Sequence, residues 1–355
     1  MVKRFLWGIA GLVIAALVVI AIAAVRFDIP KDELVAKYAQ PPSRFIQLPD
    51  GADAHVRVQG NKAGPVLVLL HGSNASLQTW EPWARELGDS YRIVTMDLPG
   101  HGLTGAVPGD DYSRRAMADF VDEVMAKLGI DNFAMGGNSM GGAVAAQYTL
   151  DHPDKVSALI LVDSGGIPRK HSEAEKAPLA FELARSPLGR WIMRWVTPRA
   201  LIEQGVKSVF ADPSKVPPEM VDRYYDLTLY DGNRRATALR FANFDPSDDS
   251  LAIRLQDIEV PVLILWGEQD HLIPVDVAQA FKVRIPQAKV VTYPDAGHVP
   301  MEEVPAKSAA DVRDFMSFEL GKSPPGSEDA TGDTSDDLEA APSGSGIQVS
   351  PLATP

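Results

Sequence analysis

The stretch "AMGGNSMGGAV", residues 134–144, places one serine between two pairs of glycines. An apolar run leads into it and an alanine-rich run leads out. Either the glycines only let a strand turn into a helix, or the bend holds Ser139 up as a nucleophile. Within it, "GNSMG" at 137–141 fits G-x-S-x-G, a pattern with mechanical meaning when a strand enters and a helix leaves. Glycines at 137 and 141 let neighbouring backbone pass without meeting a Cβ. A helix starting just after the serine would add unpaired N–H groups and the positive end of its dipole.

Outward from that bend the chain repeats the same form. "PVLVLLHG" (65–72), "RIVTMDLPGHG" (92–102), "FAMGGNS" (133–139), "VSALILVDSGG" (156–166), "VPVLILWGEQD" (260–270) and "AKVVTYPDAGH" (288–298) are short aliphatic runs ending in turns. Near-continuous apolar runs are what parallel strands covered on both faces require. Helical patterns lie between them. "SRRAMADFVDEVMAKLG" (113–129) is apolar at 117, 120, 121, 124, 125 and 128, with Ser113 placed to cap its start and Gly129 its end. "GGAVAAQYTLDHP" follows the serine, and "PAKSAADVRDFMSFEL" is the last helix. This alternation predicts an α/β fold, a doubly wound, mostly parallel sheet with helices on both faces.

Residues 167–250 break the rhythm with helical segments rich in Arg, Trp and Pro and no strand-like run. They read as a helical cap inserted over the carboxyl ends of the strands, where open α/β sheets bind ligands. The core then comprises 43–166 and 251–320.

The two ends differ from the middle. "FLWGIAGLVIAALVVIAIAAV", residues 5–25, is 21 residues without a charge, and Lys3 and Arg4 precede it. At about 1.5 Å per residue it spans roughly 30 Å, a bilayer's hydrocarbon thickness. Residues 1–27 are therefore expected to be a single-pass anchor with a cytoplasmic N-terminus and the remaining chain periplasmic or extracellular. Secretion after signal cleavage is the alternative, though the apolar region is long for a signal peptide. At the other end, 323–355 carries six acids, no base and many Pro, Gly and Ser, the composition of a disordered acidic tail.

A net charge of −13 argues against nucleic-acid binding, which needs a basic surface. The absence of cysteine removes disulfides, thiolate metal sites and a cysteine nucleophile. No metal cluster or phosphate loop is legible, so neither a metal nor a cofactor is expected.

A serine needs a base to take its proton and an acid to orient that base. Of seven histidines, His298 sits in "YPDAGHVPMEE", after the last strand and directly before a helix. Asp270 ends "LILWGEQD", and the chain order Ser139, Asp270, His298 suits a nucleophile–acid–base set. Asp163, at the end of "LILVDS", is an alternative acid. Stabilising an oxyanion takes two backbone N–H groups. Met140, next to the serine, offers one, and Ser73 in the loop after "VLVLLHG" the other, with Asn74 the runner-up. His71 reads as a residue that holds this loop, Asp97 as one that orders its turn, and His101 as a loop residue near the pocket. His271 is expected to point elsewhere.

"LLHGSNAS", "DLPGHGLT", "GGNSMGG", "HPDKVSALILVDS", "LWGEQDHLIP" and "DAGHVPMEE" together resemble the α/β-hydrolase fold family, in particular its capped bacterial serine hydrolases. Six blocks occur in family order over about residues 45–320. The resemblance implies a catalytic Ser139, Asp270 and His298 with an oxyanion hole at Met140 and Ser73. It disfavours haloalkane dehalogenase and epoxide hydrolase activity, because those members carry aspartate where Ser139 stands.

The expected activity is hydrolysis of apolar or lipid-like carboxylic esters through an acyl-enzyme. Carbon–carbon bond hydrolysis of a diketone and a non-catalytic scaffold are the alternatives. In the cap, "RSPLGRWIMRWVTPR" (185–199) sets Trp191, Ile192, Trp195 and Val196 on one stripe beside Arg190 and Arg194. Trp191 and Trp195, with Asn74, are candidate pocket residues. The same stripe also suits a helix lying on anionic lipid.

Overall fold

The computed structural model describes residues 25–168 and 179–320. Its sheet has eight strands: β1 (Ser43–Gln47), β2 (Asp53–Gly60), β3 (Val66–Leu70), β4 (Arg92–Met96), β5 (Phe133–Asn138), β6 (Val156–Val162), β7 (Val262–Gly267) and β8 (Lys289–Tyr293). Their order is β1-β2-β4-β3-β5-β6-β7-β8, and the six from β3 to β8 run parallel. Those six are the six runs expected from sequence.

The hairpin β1–β2 is an addition to that reading. It pairs antiparallel from Gln47 opposite Asp53 to Ser43 opposite Arg57, and β2 joins the edge of β4. "SRFIQ" and "DAHVRVQG" mix charges with apolar residues and are half-buried at the sheet's edge. They lack the continuous apolar run that marks the covered strands.

β3 shows why the sheet is wrapped on both sides. Val68 and Leu70 enter one core with helices Arg114–Leu128, Met140–Asp151 and Asp276–Arg284; Leu67 and Leu69 enter another with Trp80, Trp83 and helix Pro305–Leu320. All four β3 side chains are fully buried, each contributing about 1.5–3 kcal/mol against exposure. The ends of helix Arg114–Leu128 fall where sequence puts them. Ser113 Oγ accepts the Ala116 N–H at 3.2 Å, and Gly129 closes the helix at φ 64°. At that angle a side chain would be strained.

Between β6 and β7 the described residues form only helices and short turns, namely Leu179–Ala184, Pro187–Trp195, Arg199–Ser208, Pro218–Thr228 and Asn233–Ala242, with 3₁₀ turns between and after them. An N-terminal helix, Lys31–Tyr38, not read from the sequence, buries Leu34 against Leu103, Leu227 and Tyr230. Among the described residues no helix is long and apolar enough to cross a membrane. The apolar stretch 5–25 lies, apart from Val25, outside them, as do the tail 323–355 and cap residues 169–178.

The chain turns in opposite directions from the centre of the sheet. From β3 it passes to β4 on one side, and then returns to β5 on the other. The loops leaving β3, β5, β6, β7 and β8 open at the same carboxyl edge, and this is where Ser139, Asp163, Asp270 and His298 lie.

Candidate active site

Ser139 follows β5 directly and starts helix Met140–Asp151 with φ 54° and ψ −119°, in a region L-residues rarely occupy. The surrounding glycines hold it there. A Cβ on Gly137 would lie 2.2 Å from the Gly141 carbonyl oxygen, and one on Gly141 2.3 Å from that of Leu70. Backbone thus occupies the space that side chains would need. The Gly165 N–H donates to the Ser139 carbonyl at 2.9 Å and the Ser139 N–H to Val162 at 3.0 Å, tying the bend to the end of β6.

His298 lies in the loop between β8 and helix Pro300–Glu303, its backbone N–H donating to Val209 of the cap at 2.8 Å. Its Nδ1 is 2.7 Å from Asp270 Oδ2, and both residues are buried. Asp270 Oδ1 accepts the N–H groups of Leu272 and Ile273 at 2.7 and 2.9 Å, so the carboxylate is fixed by its own turn. His298 Nε2 is buried and bonded to no described residue. Asn138 links this group to the serine bend. Its Nδ2 donates to the His298 carbonyl at 2.9 Å and to that of Val162 at 3.1 Å. The residue before Ser139 thereby grips the backbone of the histidine.

Asp163 lies beside the pair rather than within it. Its Oδ1 accepts the Gly267 N–H at 2.9 Å. Burial, reinforced by the Asp270 charge, pushes its carboxyl well above the usual range, which favours its protonated form. One ligand-type atom from each of Asp163, Asp270 and His298 falls within 4.8 Å of the others. Asp163 Oδ1, both Asp270 oxygens and His298 Nδ1 are engaged by backbone N–H groups or by each other, whereas Asp163 Oδ2 and His298 Nε2 have no partner among the described residues.

On the opposite side of Ser139, the loop after β3 approaches so closely that a Cβ on Gly72 would lie 3.2 Å from the Ser139 Cβ. His71 holds this loop. Its Nε2 accepts the Leu98 N–H at 3.0 Å, which leaves the proton on Nδ1 to donate to the Gly72 carbonyl at 2.7 Å. Burial lowers its pKa and keeps it neutral. Ser73 follows, exposed, and no described residue accepts its N–H or that of Met140. Asp97 orders the neighbouring turn by accepting from Leu77 and Leu103, both at 2.7 Å.

Asp97 also pairs with fully buried His55 at 2.6 Å, a partner the sequence reading missed because His55 sits in the overlooked β2. Burial alone would raise the Asp97 carboxyl, but His55 outweighs it and holds the group below its usual value. His271 is exposed, pointing away as expected.

The cap reaches the site through a helix other than the one anticipated. Trp191 is 61% exposed, and Trp195 packs edge-on against Phe27, so helix Pro187–Trp195 turns its stripe outward and toward the N-terminal segment. Instead Thr237 and Arg240, one turn apart on helix Asn233–Ala242, meet Asn74 at 3.3 and 3.0 Å. Arg240 also touches the Met140 sulfur at 2.9 Å. Arg240 belongs to no motif, and Asn138 occupies a position that G-x-S-x-G leaves free. Their roles depend on tertiary proximity across 100 and 160 residues of sequence.

Comparison with known proteins agrees with this geometry. Residues 65–305 match the model of the alpha/beta hydrolase fold family. Lipase 1 of Psychrobacter immobilis is 29% identical over 78% of this chain and 84% of its own length. A 2-hydroxy-6-oxononadienedioate/2-hydroxy-6-oxononatrienedioate hydrolase of Comamonas testosteroni is 25% identical over 72% of this chain and 90% of its own. Among solved structures, a membrane phospholipase A described as a bacterial virulence factor superposes with a TM-score of 0.63. It is 27% identical, covering 90% of this chain and 100% of that one. With a parallel sheet wound on both sides, a serine at the strand-to-helix bend and a family match over most of its length, the chain belongs to the alpha/beta hydrolase fold family and is a hydrolase.

Proposed function

We propose that the chain is a serine hydrolase of carboxylic esters with apolar or lipid-like acyl groups. The observation that carries this reading is the pairing of His298 Nδ1 with Asp270 at 2.7 Å while His298 Nε2 stays buried without a described partner, on a residue whose backbone Asn138 ties to the Ser139 bend. The order of events follows from it. Ser139 Oγ attacks the ester carbonyl carbon as His298 Nε2 takes the hydroxyl proton. The carbonyl oxygen becomes an oxyanion facing the N–H groups of Met140 and Ser73. The tetrahedral intermediate then expels the alkoxide, which leaves as the alcohol with the proton from His298. Water, giving its proton to the same imidazole, attacks the acyl-enzyme and releases the acid and Ser139. Asp270 holds the ring's tautomer and offsets the imidazolium charge.

The lipases among the relatives, and the membrane phospholipase A at 27% identity, support lipid-like esters as substrates. Ser139→Ala is expected to abolish hydrolysis of p-nitrophenyl esters and labelling by a fluorophosphonate, with melting temperature retained. Turnover unchanged in that variant would refute the assignment.

The Comamonas testosteroni relative favours a second reading, hydrolysis of a carbon–carbon bond in a vinylogous diketone. The same residues serve it, and offering the diketone and an ester to one preparation separates the two.

We propose further that the apolar stretch 5–25 anchors the chain in a membrane, with the hydrolase domain on the periplasmic or extracellular side. Val25, the last residue of that stretch, forms an antiparallel bridge with Val196, and the Arg26 N–H donates to the Trp195 carbonyl at 2.8 Å. Phe27, which meets Trp195, and Leu188 and Trp191 on the same helix as Trp195 are all more than half exposed. Their exposure supports a cap resting on the lipid surface. Carbonate washing of a membrane fraction tests the anchor, since an unanchored chain is released.

A further inference from the structure

Arg240 extends a charged group from the cap to Met140, the residue after Ser139, and among the described residues no carboxylate pairs with it. Its polar partners are the Met140 sulfur, the Asn74 Oδ1 at 3.0 Å and the His101 Nε2 at 2.5 Å, and its guanidinium lies 5.4 Å from the Phe241 ring. All three polar partners are neutral. His101 Nδ1 donates to the Pro99 carbonyl at 2.9 Å, which leaves Nε2 with a lone pair to accept from the guanidinium. Burial, followed by the Arg240 charge, holds the His101 pKa well below its ordinary value. Burial also lowers Arg240, to about 10, and at neutral pH it still carries its proton.

Arg240 is half-buried, and a guanidinium partly shielded from water with no described anion beside it is costly, since such charges are ordinarily paired. Here the fold fixes the charge in place. Helix Asn233–Ala242 is held by Asn233 Nδ2, which donates to the Gly102 and Leu227 carbonyls at 2.9 and 2.7 Å. A Cβ on Gly100 would come within 2.6 Å of Ala236, one turn before Arg240. Of the five guanidinium N–H groups, described residues engage at most three, and the fork is matched to two oxygens of one anion.

We propose that Arg240 forms a subsite for an anionic group, carboxylate or phosphate, that the substrate carries close to its scissile carbonyl. This rests on the ester-hydrolase reading and narrows it to anionic esters. His101 and Asn74 position the fork, and Met140, whose side chain touches it, contributes its backbone N–H to the oxyanion hole. An anion bound there is thereby placed within a residue of the reacting carbon.

The test uses the full-length chain and two pairs of monomeric esters. Mono-p-nitrophenyl adipate against p-nitrophenyl hexanoate varies the acyl end. Dihexanoyl phosphatidic acid against dihexanoylglycerol varies the alcohol end. The wild type is expected to favour the anionic member of at least one pair by about tenfold or more in kcat/KM. The pair that shows it tells carboxylate from phosphate. In Arg240→Gln that ratio falls to about one, while Arg240→Lys, which keeps the charge without the fork, retains part of it. A guanidinium that merely braces Asn74 would lower both members of a pair together and leave their ratio unchanged.

No anionic preference in the wild type overturns the subsite whether or not any variant folds. A preference that survives in Arg240→Gln, with melting and fluorophosphonate labelling intact, also overturns it. Neutral esters turned over as well as anionic ones leave the ester-hydrolase reading standing. Failure to hydrolyse any of the four removes that reading itself.

Discussion

Replacing Asn138 by alanine tests whether the serine bend and the histidine loop act as one unit. The buried side chain spends both Nδ2 hydrogens, one on the His298 carbonyl at 2.9 Å and one on the Val162 carbonyl at 3.1 Å. The two losses are unequal. Val162 keeps the Ser139 N–H at 3.0 Å, whereas the His298 carbonyl has no other described donor. An orphaned buried acceptor costs about 1–3 kcal/mol and a lost neutral bond about 1 kcal/mol, together roughly 2–4 kcal/mol. For a domain of this size that lowers the melting temperature by on the order of 5–15 °C.

Freed at its carbonyl, His298 also drifts from Ser139, and a displacement of about 1 Å costs roughly a hundredfold in rate. Both quantities are measured on one preparation, melting by fluorimetry and the second-order rate of fluorophosphonate labelling well below the midpoint. Asn138→Asp is expected to be worse near neutral pH, because it sets a carboxylate against two carbonyl oxygens, and to recover as the pH falls and the group protonates. A melting temperature within about 1 °C of wild type, with undiminished labelling, would mean that the two loops are positioned independently.

Asp163→Asn is expected to retain ester turnover, because burial favours the neutral form of the carboxyl it replaces and the amide oxygen still accepts from Gly267. Its effect on stability depends on pH. The folded-state pKa of Asp163 lies above that of the unfolded chain, about 3.9, so its contribution is complete below that value and is lost as the pH rises toward the folded pKa. The melting temperature of the variant minus that of wild type should therefore grow from acid to neutral pH, and a flat difference would show that Asp163 is ionised. Gly72→Ala puts a Cβ 2.9 Å from Asn138 Oδ1 and 3.2 Å from Ser139 Cβ, which forces the loop back. A stability loss of about 1–3 kcal/mol and a kcat reduced more than KM is rising are expected; unchanged steady-state constants would contradict the close approach.

The parallel strands were legible because each is buried on both faces and so reads as an unbroken aliphatic run. The hairpin β1–β2 was not, since the edge strand β1 and its neighbour β2, both partly open to water, carry Arg44, Arg57 and Gln59 among their apolar residues. Ser139, Asp270 and His298 stand out for a related reason: each follows a strand end, where local turn chemistry marks the position. Asn138 is invisible because G-x-S-x-G leaves its position free, although its side chain joins β5 to a residue 160 positions away. In the cap, an apolar stripe with tryptophans drew attention to helix Pro187–Trp195, yet Arg240 on helix Asn233–Ala242 reaches the site. Periodicity identifies which residues share a helix face, but it does not say what that face meets. Trp195 meets Phe27, from a segment more than 160 positions earlier.

The charges around Ser139 form a pattern that hydrolysis requires. Four buried groups that could carry charge, or compete for it, are instead fixed by local bonds: His71 and His101 are kept neutral, Asp163 favours its protonated form, and Asp97 is paired with His55. Among the described residues, Asp270 against the histidine and Arg240 against the residue after Ser139 are the charges that would bear on the proposed reaction. In the proposed reaction, as Ser139 adds to a carbonyl, positive charge develops on His298 and negative charge on the oxygen facing the Met140 N–H. Each develops on the side where the fold holds the opposite sign, in surroundings where water screens little. Were Asp163 ionised as well, two carboxylates would face one imidazolium, and the ring would hold its proton too firmly to return it to the leaving alkoxide. Keeping Asp163 neutral leaves Asp270 as the carboxylate paired with the ring, so in the proposed reaction the proton can pass in both directions within one turnover.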